Sequence, residues 1–263
     1  MKAEKAPNTT GPHGSLTGQV ALVCGATGFL GAAITRYLAR RGASVALQFH
    51  TRQDVAEALR GELPFGPHVV LAADLADRGA TAETFEAIVQ SLGAPPTIVV
   101  NAASPPLAPT VVAQLADEDM DLAWQGFRMH VNVCREAVIG MREIGCGRIV
   151  LVSAALAARY ACGFALYSAM KAGLTAFSHT LALEEGKFGI TVNVVAPGRV
   201  TDDEAASHLP PAYALLDSIS RMRMALPEYP TPNEVADVVG FLTSPEASAV
   251  TGQVVYVAGG EPI

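Results

Sequence analysis

The sequence predicts an α/β protein built on one doubly wound parallel sheet of about seven strands with helices on both faces. Short Val- and Ile-rich runs recur along the chain and mostly do not alternate with polar residues, as suits strands buried on both faces. Helical apolar spacing fills the intervals between them, and strand–helix alternation with right-handed crossovers makes a parallel sheet. Half of the 263 residues are apolar, enough for a large core, and no linker divides the chain. Residues 1–16, polar and rich in Pro and Gly, read as a flexible N-terminal tail, and residues 17–263 as a single domain.

The expected strands are Val20–Cys24, Ser44–Phe49, His68–Leu71, Thr97–Asn101, Arg148–Ser153, Thr191–Ala196 and Gln253–Val257. Among the helices, Leu30, Ile34 and Leu38 share a face by i, i+4 spacing, as do Met170, Leu174, Phe177 and Leu181. "TPNEVADVVGFL" opens with Thr231 as N-cap, Pro232 at the first helical position and Glu234 closing a capping box. Asp117, Glu118, Asp119 and Asp121 read as a solvated helix start favoured by the dipole. Phe127, Val131, Cys134 and Val138 lie at helical spacing and fit either a subunit contact or packing on the protein's own sheet. The longest irregular stretch, 198–229, carries Leu209, Tyr213, Leu215, Leu216, Ile219, Met222 and Met224. It reads equally as a lid over an apolar ligand and as a surface helix packed on a neighbouring subunit.

A net charge of −7 without a basic cluster argues against a nucleic-acid surface. No run is apolar and long enough to span a bilayer, and no secretory signal is visible. Cys24, Cys134, Cys146 and Cys162 form no CxxC pair, which suits reduced thiols in the cytoplasm. The six histidines never pair at metal spacing, so no metal is expected; His208, in the expected lid, is a candidate substrate contact.

The chemistry starts at "VCGATGFLG", where a strand meets a helix through Gly25, Gly28 and Gly31. Gly25 permits a tight turn, Gly28 lets a pyrophosphate approach the main chain, and Gly31 lets the helix pack closely. The helix N-terminus adds free N–H groups, which makes a Rossmann-type dinucleotide cradle that includes Thr27, Phe29 and Leu30. The second strand ends in "QFHTR" without an acid to bind both ribose hydroxyls. His50, Thr51 and Arg52 instead suit a 2′-phosphate, so NADP(H) is favoured; the plain alternative is that Arg52 is a solvated residue opening a helix. Asp74 and Leu75 follow the third strand, where the carboxylate could accept from an adenine amino group, and Asn101 ends the fourth near the expected nicotinamide ribose. "YSAMK" sets Tyr167 and Lys171 on one helix face, where the ammonium should favour the phenolate and make Tyr167 a general acid or base. Such a pair also arises by chance in many helices.

The ordered set "GATGFLG", "ADL", "VVNAAS", "GRIVLVSA", "YSAMKAG", "VNVVAPGRV" and "EVADVVGFLTSPEASAVTGQVVYVAGG" resembles the short-chain dehydrogenases/reductases over nearly all of the chain after the tail. "HTR" and "NAAS" are similar to the ketoacyl-reductase-like and pteridine-reductase-like members. The resemblance implies a single Rossmann-type domain, NADP(H), commonly a homotetramer, and Tyr167 with Lys171 as the catalytic pair. It also implies cofactor contacts from Asn101, Ala102 and Ala103 and from Pro197, Gly198 and Val200, with Thr201 one place early for the family's carboxamide contact.

Three departures stand out. The glycine spacing is that of the family's extended branch. The family's Ser position falls on Ala154, with Ser153 one step away and so on the other strand face unless the strand bends. The family's Asn position falls on Gln125 or Gly126, and Asn132 is nearly two turns late. Ser104, Tyr160 and Gln125 are candidate stand-ins.

Three functional readings follow. The first is an NADPH-dependent ketoreductase of a bulky, largely apolar substrate, polyketide or carrier-protein-bound. The second is a non-redox or unusual enzyme on the same scaffold: an isomerase, dehydratase, cyclase or C=C reductase. The third is a non-catalytic NADP(H)-binding subunit. The expected partners are a small-molecule substrate and further copies of the chain, as a dimer or tetramer.

Overall fold

The computed structural model describes residues 15–64, 66–201 and 221–262. Seven strands form one sheet: β1 (Val20–Cys24), β2 (Ser44–Phe49), β3 (Val69–Ala72), β4 (Ile98–Asn101), β5 (Gly147–Val152), β6 (Ile190–Pro197) and β7 (Val254–Val257). Their spatial order is β3-β2-β1-β4-β5-β6-β7, and every pairing is parallel. The α-helices around the sheet include α1 (Phe29–Arg40), α2 (Gln53–Glu62), α3 (Arg78–Leu92), α4 (Asp117–Ile144), α5 (Ala165–Glu185) and α6 (Pro232–Thr243). The expected strands are all present, with ends shifted by at most a residue or so.

The sheet is buried on both faces because its side chains alternate between two apolar layers. On one face, Val23, Leu47 and Val100 meet Ile34 and Leu38 of α1 and Val239 and Leu242 of α6. On the other, Leu22, Val99, Leu151 and Val194 meet Ile88 of α3, Val133 and Met141 of α4 and Leu181 of α5. α6 begins with the expected capping box: the Glu234 amide donates to the Thr231 hydroxyl, and the Thr231 amide donates to the Glu234 carboxylate at 2.7 Å.

α4 resolves the ambiguity over its apolar row by splitting it. Cys134 and Val138 belong to the core under the sheet. Phe127 turns outward, stacked on Trp124 (centroids 5.6 Å apart) and edge-on to Phe177 of α5 at 6.0 Å. The acidic start of α4 is exposed apart from half-buried Asp119, whose carboxylate accepts from the Ala116 amide.

Chain order departs from spatial order between β1 and β4, where the chain reverses direction across the sheet. In such sheets the helices leave on opposite faces at that point and a crevice opens beyond the carboxyl ends of the two strands. Most of the expected lid, including His208, Leu209, Tyr213, Leu215, Leu216 and Ile219, lies outside the described residues. Among the described residues, no helix is long and apolar enough to cross a membrane, and no group of metal-binding side chains gathers.

Candidate active site

The β1–α1 turn closes over itself tightly. Gly25 has φ +69°, and a Cβ there would lie 2.9 Å from the Ala103 Cα. A Cβ on Gly31 would fall 2.1 Å from the Gly25 carbonyl oxygen, so the first turn of α1 rests directly on the glycine turn. Gly28, the N-cap of α1, has an ordinary φ of −76°, but a Cβ there would lie 3.2 Å from the Gly25 carbonyl oxygen, so the turn's own backbone favours glycine and the main chain is left open to a ligand.

Gln48 sets the shape of this turn. It is buried at the end of β2, its Oε1 accepts from the Gly25 amide at 3.0 Å, and its Nε2 donates to the carbonyls of Phe49 and Ala73 at 2.8 Å. One side chain thereby ties the ends of β1, β2 and β3 together. Sequence reasoning noted Gln48 only as the lack of an acid; a polar residue closing an otherwise apolar strand was the available signal.

A cleft of about 840 Å³ opens at the reversal point. Gly25, Thr27, Gly28, Phe29 and Leu30 line one side, His50, Thr51 and Arg52 one end, and Asp74, Leu75, Ala102 and Ala103 the other side. Arg52 Nη2 donates to the Thr27 carbonyl at 2.6 Å, so the guanidinium is held across the mouth of the turn. The Asp74 carboxylate accepts from the Ala76 amide. Leu75 is buried and its carbonyl already accepts from Thr81 and Asn132, so it contributes wall rather than recognition. Asn101 is fully buried: its Oδ1 accepts from the Ala103 amide at 3.1 Å, while its Nδ2 has no partner. A buried amide donor left open beside a cleft is what a ligand acceptor would satisfy. On the far side of the sheet, Pro197 ends β6, the Gly198 amide donates to the Val257 carbonyl, and Val200 packs against the α1-side core. Thr201 lines a second cavity together with Thr27, Gly28 and Arg52.

Tyr167 and Lys171 sit on α5 beside the end of β5. Lys171 is 2% exposed; its Nζ donates to the Val152 carbonyl at 3.0 Å and lies 5.6 Å from the centre of the Tyr167 ring. The structure corrects the expectation that the ammonium makes the phenol more acidic. Burial pushes the Lys171 amine down to about 8 and pushes the Tyr167 phenol above its ordinary value. Desolvation penalises both charges, so the phenol holds its proton.

The departures from the family pattern have structural causes. Ser153 is buried and its hydroxyl donates to the Lys171 carbonyl at 3.1 Å, so it braces α5 and does not reach the cleft. Ala154 brings no oxygen to the neighbouring position. A Cβ on Gly126 would lie 2.5 Å from the Met170 sulfur and 2.7 Å from Pro105, which leaves no room for an Asn side chain. Asn132 donates to the carbonyls of Leu75 and Ala76, far from that role. Of the candidate stand-ins, Ser104 and Gln125 line the main cleft. Tyr160 does not: it is 79% exposed and lines a separate cavity with Val111 and Ser168.

Residues 25–261 match a family model described as enoyl-(acyl carrier protein) reductase. The chain is 38% identical over 251 residues to the 3-oxoacyl-[acyl-carrier-protein] reductase FabG of Pseudomonas aeruginosa, covering 94% of this chain and 98% of that protein. It is 34% identical to a Streptomyces virginiae protein named for ketoacyl reduction in the monensin polyketide synthase, over 93% and 97% of the two chains. A short-chain dehydrogenase of Burkholderia cenocepacia, solved in complex with NADP, superposes with a TM-score of 0.81 at 30% identity, covering 93% of this chain and 98% of that one. A short-chain dehydrogenase/reductase of Serratia marcescens does so with a TM-score of 0.83, at the same identity and coverage.

Proposed function

The chain belongs to the short-chain dehydrogenase/reductase family, and from that premise we propose that it is an NADPH-dependent ketoreductase of a bulky, largely apolar carbonyl compound. The observation that carries this reading is the buried Lys171 amine fixed to the end of β5 and set over the ring of a protonated Tyr167. The residues present fit the coenzyme. Gly25, Thr27, Gly28, Phe29 and Leu30 offer a cradle that side chains would fill, at a helix N-terminus with open N–H groups. His50, Thr51 and Arg52 would hold the 2′-phosphate, Asp74 and Leu75 the adenine, and Asn101, Ala102 and Ala103 the nicotinamide ribose, with the unpartnered Asn101 Nδ2 as donor. Pro197, Gly198 and Val200 would border the nicotinamide. Bound NADPH supplies a hydride to the carbonyl carbon.

The protein's own residues manage the proton. Tyr167, kept neutral by burial, donates its hydroxyl proton to the carbonyl oxygen as negative charge develops there. Lys171 then lies beside the tyrosinate left behind and stabilises it. With Ala154 in place of a hydroxyl, the oxygen meets one donor from this pair, and one missing oxyanion donor costs about 10²–10³ in rate elsewhere. A substrate that carries its own hydroxyl or internal hydrogen bond next to the carbonyl makes up for that loss, as polyketide and polyphenolic ketones do. Carrier-protein-bound ketoacyl chains are the natural class, supported by what the Pseudomonas and Streptomyces relatives are named for. Residues 17–263 act as one coenzyme-binding domain with a substrate lid at 198–229, in a cytoplasmic homo-oligomer.

Ala154 and the filled place at Gly126 also favour a second reading, a non-redox enzyme on the same scaffold. A purely coenzyme-binding subunit has no use for the retained phenol and amine. Tyr167→Phe and Arg52→Ala separate the steps. The first should lower NADPH oxidation with a ketoacyl thioester by about 10²-fold or more while coenzyme still binds. The second should weaken NADPH about tenfold and leave NADH unchanged, the cost of one charge-assisted contact to phosphate. Full turnover by Tyr167→Phe contradicts the proposal.

A further inference from the structure

His130 is a buried group for which the coenzyme and Tyr167 leave no use. α4 carries it one turn beyond Gly126, on the same helix face. It is 1% exposed, and neither ring nitrogen has a hydrogen-bond partner. The Ala103 carbonyl comes near enough to favour a proton on the ring without meeting hydrogen-bond geometry. Leaving an imidazole buried and unpartnered is costly, and such groups are normally satisfied by a neighbouring group or an ordered water.

Lys171, from α5, is the charged group that acts on the ring. Burial and that ammonium together push His130 down to about 3, so it is neutral and keeps one acceptor nitrogen. Cys134, one turn further along α4, is pushed up to about 12 by burial and is a neutral thiol. Lys171 has the opposite shortage. Its ammonium carries three donors, and among the described residues only the Val152 carbonyl accepts from it. An amine short of acceptors therefore lies within electrostatic reach of an imidazole short of a donor. The packing of the two helices sets them near each other: a Cβ on Gly126, one turn before His130, would meet the sulfur of Met170, the residue before Lys171, and the Phe127 ring lies against Gly173.

We propose that His130 is a positioning residue for Lys171: it accepts from the ammonium through one water shared with the Ala103 carbonyl, and so keeps the amine charged and aligned beside Tyr167. The inference rests on the Tyr167–Lys171 reading above.

The test compares wild type, His130→Leu, His130→Gln and Tyr167→Phe, with NADPH and the N-acetylcysteamine thioester of acetoacetate as probe. His130→Leu should lower kcat about tenfold, the worth of one hydrogen bond to a charged group, with KM for the thioester and NADPH affinity unchanged. Its alkaline limb should move down by about half a pH unit, because removing an acceptor disfavours the charged amine. His130→Gln keeps an acceptor and should restore both. In coenzyme-free protein, side-chain NMR of Lys171 should show the same downward movement in His130→Leu and not in His130→Gln. This readout needs no substrate, and His130→Met replaces the leucine variant should the latter not fold. A leucine or methionine variant with the wild-type kcat, limb and Lys171 titration overturns the role of His130, as does a glutamine variant impaired to the same degree. Wild-type turnover by Tyr167→Phe would instead sink the ketoreductase reading, whatever His130 does.

Discussion

Ala154 decides which substrates suit the Tyr167–Lys171 pair of the proposed mechanism. Its methyl stands where a hydroxyl would polarise the carbonyl, and Ser153 is committed to the Lys171 carbonyl. Ala154→Ser should therefore raise kcat on a simple ketoacyl thioester about tenfold, a fraction of what one oxyanion donor contributes elsewhere; steady-state kinetics on a substrate without its own hydroxyl reads it. No gain would mean that Ser104 or Gln125, both in the cleft wall, already fills the role. At this scale the placement of Tyr167 and Lys171 on one helix, of the glycines at the β1–α1 turn and the lack of an acid after β2 were legible in the sequence. It did not reveal Gln48 or His130. Gln48 bonds groups at the ends of three different strands, and the His130 neighbourhood exists only once α4 packs beside α5. The acidified phenol was a misreading because i, i+4 spacing reports proximity and not desolvation, and burial outweighs the neighbouring charge at Tyr167.

Among the elements, the β1–α1 junction is the one on which everything at the cleft depends. Gly31→Ala must push α1 off the turn, since its Cβ would meet the Gly25 oxygen at 2.1 Å. The expected cost is about 3 kcal/mol, at the upper end for overpacking, together with loss of coenzyme affinity; urea unfolding and calorimetric titration with NADP⁺ read the two effects. An unchanged midpoint would show that the turn can yield. Elements were legible where local chemistry decides them. The capping box of α6 and the Val-rich strands are examples, because caps and buried strands need no knowledge of neighbours. α4 was ambiguous because its period fits two partners, and only packing shows that Cys134 and Val138 face the sheet while Phe127 faces Trp124.

For the whole molecule, the buried Lys171 amine is a stability cost built into the fold. Lys171 is pushed down to about 8 in the folded chain from an ordinary 10.5. The folded state therefore binds this proton more weakly than the unfolded state does. Its contribution is most favourable above 10.5 and declines as pH falls through 8. Coenzyme-free Lys171→Met should thus be more stable than wild type at pH 7, by at most about 3 kcal/mol. The difference should shrink as pH rises toward 10. Tyr167, Cys24 and Cys134 are held protonated by burial and lose stability in alkali, but equally in both proteins. Urea midpoints across this range check the sign; a gap that widens with pH contradicts it. The sheet as a whole was legible because seven runs buried on both faces fit no other layered architecture. The order of its strands was not, since that depends on which crossover packs beside which, and the reversal between β1 and β4 sets the cleft.

The most direct measurement is a single turnover with NADPH deuterated at its transferring carbon and the acetoacetyl thioester, followed by mass spectrometry of the product. Deuterium on the carbinol carbon with wild type, and about 10²-fold less at the same early time with Tyr167→Phe, is the expected result. A product of unchanged mass formed without consumption of NADPH, or equal deuterium transfer by both proteins, would contradict proton donation by the phenol beside Lys171.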